Sequence, residues 1–220
     1  MEKFIDITLI IHATSGGFAL LAGLLAIATK KGSKRHILSG QVYFWSMLSV
    51  IVTGLIVGWY RDNIFLQTIA VFSFYLAFTG KRVLRYKKEV NPALIDWFAS
   101  TLALMVSLFM LYLVANNIMR IGFAGAIPML LVFGGLLLSM AAGDLKKMVK
   151  RNFVRNAWLY DHISRMGGSF IATSTAFLLV NTSVEPVWVM WLLPTVVGTP
   201  MIIISNRKWK EKLEGKRSKA

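Results

Sequence analysis

Three histidines carry most of the chemistry this chain can offer. His12 lies in LIIHATSGGF, His36 in KRHILSGQ and His162 in LYDHISRMGGSF. Imidazole serves as donor, acceptor or metal ligand near neutral pH, because its ordinary pKa falls in that range. Each histidine has a glycine about one helical turn further on: Gly16, Gly40 and Gly167. Such a glycine leaves a flat patch beside the ring. A planar cofactor such as haem needs both an axial imidazole and that kind of room. Arg165 and Met166 fall on the same helical face as His162. The candidate cofactor-binding residues are therefore His12, His36, His162, Arg165 and Met166.

Other chemistry is scarce. The chain has no cysteine, which removes disulfides, thiolate metal sites and cysteine nucleophiles. No HxxxH or HExxH pair places two ligands on one helix face, so a zinc hydrolase is not expected and the identity of any metal stays open. A two-haem wire with histidine ligands needs four histidines, and the chain has 3. One b-type haem between His36 and His162 remains, with His12 at a separate site. The plainer readings are packing and hydrogen bonding. His36 can meet lipid phosphate beside Lys34 and Arg35. His162 can join a helix-start network with Asp161 and Tyr160, and His12 can find a partner in Gln67 or Asn116. No catalytic residues emerge, and the balance is against an enzyme.

These residues must be positioned by elements that composition identifies. Of the 220 residues, 56% are hydrophobic, and the mean hydropathy is +0.61. A soluble domain has no core large enough for that excess, whereas helices facing lipid need it. Seven apolar stretches occur, at about 5–29, 37–59, 63–80, 94–115, 121–142, 159–181 and 186–205. Each approaches the roughly 20 residues needed to cross a bilayer. The fold expected is an all-α bundle of seven transmembrane helices over 1–206, followed by a basic tail at 207–220. Pro128, Pro194 and Pro200 are expected to kink helices five and seven. Gly54 with Gly58, and Ala19 with Gly23, form small-xxx-small pairs suited to close packing within the bundle.

Charge gives the threading. Of the 25 Lys and Arg residues, the connectors 30–36, 81–89 and 145–155, the tail and Arg165 hold 22. Lys3, Arg61 and Arg120 make up the remaining 3. Basic connectors face the cytoplasm, so the N-terminus is expected outside and the C-terminus inside. The formal charge of +15 then attracts anionic lipid headgroups rather than nucleic acid. Asp96, Asp144 and Asp161 fall near the helix ends rather than at a span centre. That argues against a proton pump with a midplane carboxylate.

The blocks HATSGGFALLAGLLAI, KRHILSGQVYFWSM and HISRMGGSFIATSTAFLLVN resemble those of a bacterial membrane family, domain of unknown function 2306. The resemblance runs from helix one through helix six and falls on His12, on Arg35-His36 with Gly40, and on His162 with Arg165-Met166. It implies a multi-pass protein of the bacterial inner membrane and brings no activity with it. Three functions follow as expectations. The first is a redox or haem-associated membrane protein using His36 and His162. The second is a small-molecule or lipid permease using the kinked helices, and the third is a non-enzymatic subunit or assembly partner of a membrane complex.

Overall fold

In a computed structural model the described residues are 1–87, 91–122, 125–151, 156–183 and 188–217. They form seven α-helices: α1 (Glu2–Ala28), α2 (Lys34–Tyr60), α3 (Ile64–Arg82), α4 (Leu94–Ile121), α5 (Ile127–Lys150), α6 (Ala157–Asn181) and α7 (Trp188–Arg217). A 3₁₀ turn over Val83–Lys87 follows α3. There is no strand among the described residues, and all seven helices are long and apolar enough to cross a membrane. Large apolar side chains such as Leu24, Phe98, Leu108 and Val196 stay exposed. In lipid that exposure carries no hydrophobic penalty.

Several helices run past their expected ends. α4 continues past residue 115 to Ile121, and α5 runs past residue 142 to include Asp144 and Lys146. Backbone hydrogen bonding does not stop where hydropathy falls; it stops where the next donor or acceptor is lost. α7 likewise carries on into the basic tail, as far as Arg217. Pro128 corrects the expected kink in helix five. It stands in the first turn of α5, where the missing N–H is one that the helix leaves unbonded anyway. Pro194 and Pro200 do lie inside α7.

The chain divides into two compact units. The first comprises Met1–Thr14, Leu48–Tyr75 and Arg85–Val154. Here α4 packs along α5, and Gly134 admits Met110 and Leu111 to its backbone. Met110 and Leu137 are fully buried, and the Phe72 and Phe133 rings stack 5.1 Å apart. Polar groups inside this unit are paired. The Tyr75 hydroxyl donates to Asp144 Oδ2 at 2.6 Å and lies 3.2 Å from Ser100 Oγ. Asp96 accepts from the Ala93 N–H at 2.9 Å, closing the first turn of α4.

The second unit comprises Ser15–Met47, Leu76–Leu84 and Arg155–Ala220. Its backbone is a parallel pairing of α2 with α6 in one register. Tyr43 meets Ser169, and Met47 meets Thr173, each pair 126 residues apart. His36 and His162, at the same separation, meet one heptad earlier. On the other side of α6, Gly168 receives Leu76 of α3 and Gly167 receives Ile202 of α7. Leu76 and Ile202 are again 126 apart.

Candidate functional site

The N-terminal two turns of α2 and α6 place the two histidines. Their ring centroids lie 6.4 Å apart with the planes at 80°. His36 Nδ1 is 3.0 Å from the Ala26 carbonyl oxygen, and His162 Nδ1 is 2.7 Å from that of Gly80. A carbonyl only accepts, so each Nδ1 carries the proton and donates it. Each Nε2 is then left with a lone pair, and neither has a hydrogen-bond partner among the described residues. A ring held by its far nitrogen with the near one free is the arrangement that orients histidine for a metal.

Both acceptors have the same origin. Ala26 lies in the last turn of α1 and Gly80 in the last turn of α3. The final carbonyls of a helix have no partner inside it, and each imidazole donates to one of them. The two are not equally committed. Ala26 also accepts from Lys31 Nζ at 2.9 Å, which reaches the Ile27 carbonyl at 2.8 Å as well. For the Gly80 carbonyl, His162 is the side-chain donor.

The last turn of α3 is a hub. The Arg165 guanidinium is buried and donates from Nη1 to Thr79 Oγ1 at 2.8 Å. Met166 packs its thioether on Gly80, where an added Cβ would stand 2.9 Å from the sulfur. Lys81 rests its ammonium over the Phe44 ring at 3.7 Å and the Trp45 ring at 5.2 Å. Arg165 and Met166 thus stand beside His162 and tie α6 to α3.

One heptad along the seam lies a buried hydroxyl cluster. Tyr43, itself fully enclosed, sets its hydroxyl 2.7 Å from Ser169 Oγ and 3.3 Å from Thr173 Oγ1. Thr173 donates to the Ser169 carbonyl at 2.9 Å and lies 3.3 Å from Met47 Sδ. Hydroxyls in a membrane helix need such partners, since lipid offers none. Neither Tyr43 nor this cluster was anticipated from sequence. The signal that finds them is the spacing His36, Ser39, Tyr43, Met47 on α2 against His162, Arg165, Ser169, Thr173 on α6.

Nothing lies within 4 Å of a Cβ built at Gly16 or Gly40, whereas at Gly167 that space is filled by Ile202, 2.7 Å from the point.

His12 belongs to the first unit, where it is the one histidine. Its Nδ1 is 2.9 Å from Thr53 Oγ1. Thr53 sends its own proton to the Ser49 carbonyl at 2.7 Å, so His12 is the donor. The partner is thus Thr53 on α2, beside Gly54, where an added Cβ would stand 3.4 Å from the ring, and not Gln67 or Asn116. Among the described residues no group of three or more His, Asp or Glu is placed to hold a metal ion.

Comparison with family models, curated proteins and solved structures returns no match. The site has to be judged on its own geometry.

Proposed function

We propose that this chain is a membrane redox protein that holds one haem iron through His36 and His162. The observation that carries the reading is the pair of oriented imidazoles 6.4 Å apart, each with an uncommitted Nε2. Two imidazoles bound to one metal at about 2.0 Å each hold their ring centres roughly 6 Å apart. Two protein ligands are enough where a cofactor supplies the rest of the coordination shell, which is the case for haem. When bound, the iron would supply one-electron chemistry. The chain's residues hold the rings, and Gly40 leaves the open side.

The wider setting follows the charge. The basic connectors put the N-terminus outside and the tail inside, in the manner of a bacterial inner-membrane protein and of the family named domain of unknown function 2306. The histidine pair then sits at the cytoplasmic side, among the Lys and Arg residues that meet anionic headgroups. The permease reading loses support, since Pro128 opens α5 instead of kinking it.

The test is a visible spectrum of the detergent-purified chain from haem-replete cells, before and after dithionite. A Soret band with sharpened α and β bands on reduction is expected. Substituting His36 or His162 by alanine should abolish or shift it, while His12→Ala should leave it unchanged. A flat visible spectrum ends the haem reading.

A further inference from the structure

We infer that α7 carries the surface on which two copies of this chain pair within the bilayer. The surface uses none of the residues assigned to the haem, and the inference does not depend on that reading. α7 packs on α6 through one edge, where Ile171 lies against Gly198 and Ile202 against Gly167. Its opposite side is left open. Leu192, Val196 and Ile203 are 45%, 65% and 45% exposed, and Thr195, Thr199 and Pro200 are exposed beside them.

Spacing makes this side a seam. Leu192, Val196, Thr199 and Ile203 follow one another at intervals of four, three and four residues. That is the heptad alternation by which two parallel helices interlock side chains at a shallow left-handed crossing. Copies of one membrane protein thread the bilayer the same way, so their α7 helices meet in parallel. Beyond the seam, the basic residues from Arg207 onward repel their counterparts, which confines the contact to 192–203.

Apolar side chains alone would be equally at home in lipid. The polar groups are what call for a partner. Neither Thr195 nor Thr199 has a side-chain hydrogen bond among the described residues, whereas Thr53, Thr173 and Thr175 each return a proton to a carbonyl of their own helix. Pro200 has no N–H to give the Val196 carbonyl one turn before it. Hydrocarbon supplies neither donor nor acceptor. Thr101 of α4 and Ser139 of α5 are also exposed without a partner, but each stands alone. On α7, two donors and an acceptor lie within about one turn. A patch holding both kinds of group is self-complementary. About a two-fold axis, each Thr199 hydroxyl can meet the Thr199 hydroxyl or the Val196 carbonyl of the second copy. That property selects a second copy over an unrelated helix.

The chain has no cysteine, so one introduced cysteine reports only a contact between molecules. In native membranes, oxidation with copper phenanthroline should join Ile203→Cys into a dimer. Ile204→Cys, equally deep and 50% exposed but off the seam, should stay largely monomeric. In liposomes, energy transfer between copies labelled at the C-terminus should show wild-type pairing. Thr195→Val combined with Thr199→Val should weaken it about tenfold, through the interhelical hydrogen bonds lost. A wild-type chain that stays monomeric at every protein-to-lipid ratio overturns the inference. Equal cross-linking at 203 and 204 does the same, as does pairing unchanged in the double valine variant. Ile203→Cys joined to a different protein instead of a second copy also overturns it. The wild-type energy transfer decides the matter even if a variant does not fold.

Discussion

Tyr43 and Ser169 share a buried 2.7 Å hydrogen bond at the same 126-residue separation that divides His36 from His162. The hydroxyl pair therefore reports on the register that brings the imidazoles together. Tyr43→Phe and Ser169→Ala should each destabilise the chain in detergent. Their double-mutant cycle should show coupling of about 0.6–1.7 kcal/mol, the range found for hydrogen bonds between membrane helices. Zero coupling would mean that α2 and α6 do not meet in this register.

Two glycines of α1 should respond in opposite ways to the same substitution. A Cβ at Gly23 would stand 2.4 Å from Phe170 Cδ2 and 3.2 Å from Tyr43 Cδ2. Gly23→Ala must push the Phe170 ring away from α1 and should cost about 1–3 kcal/mol. Gly16 has nothing within 4 Å, so Gly16→Ala should be neutral or gain up to about 1 kcal/mol from helix propensity. Thermal unfolding of the two variants side by side checks both. Equal melting temperatures would show that α1 does not pack on Phe170.

In the first unit, Tyr75 gives Asp144 a 2.6 Å hydrogen bond. Bonds to a charged acceptor are worth about 1.5–3 kcal/mol, and removing the donor leaves the carboxylate short of a partner. Tyr75→Phe should lower stability by about that amount. Asp144→Asn together with Tyr75→Phe should cost less than the sum of the two single changes, measured by denaturant titration in detergent.

Lys31 offers a pH test outside the membrane-spanning helices. Burial holds its ammonium below the ordinary lysine value of 10.5. With the folded value below the unfolded one, the unfolded chain binds more protons between them, so this residue makes stability rise with pH in that window. Above 10.5 the contribution is constant, and below the folded value the full penalty is present. The difference in melting temperature between wild type and Lys31→Met, followed from pH 8 to 11, isolates the slope from that of the other lysines. A difference independent of pH would contradict the burial.

Much of this molecule was legible along the chain. Hydropathy located all seven helices, because an apolar run of spanning length has few alternatives to being a helix in lipid. Their ends were less readable: Asp144 and the basic tail are helical because hydrogen bonding continues through polar residues. The histidines stood out as the sparse polar chemistry in an apolar chain. The flat patch expected at Gly167 did not survive, because Ile202 arrives there from a helix far away in sequence.

What sequence alone determined is the all-α character, seven helices apolar enough to cross a membrane, and the short set of polar side chains within them. These follow from composition and local periodicity, which each stretch of chain carries by itself. Tertiary structure decided which of those residues meet. Three contacts at one offset set α2 against α6, and that register pairs His36 with His162 while Thr53 takes up His12. It also decided that the free nitrogens are Nε2, since Ala26 and Gly80 present carbonyls from the ends of other helices. Such facts depend on which helix packs beside which. A one-dimensional pattern does not hold them, because the hydrophobic face that drives packing fits many neighbours, and only the assembled polar contacts select one.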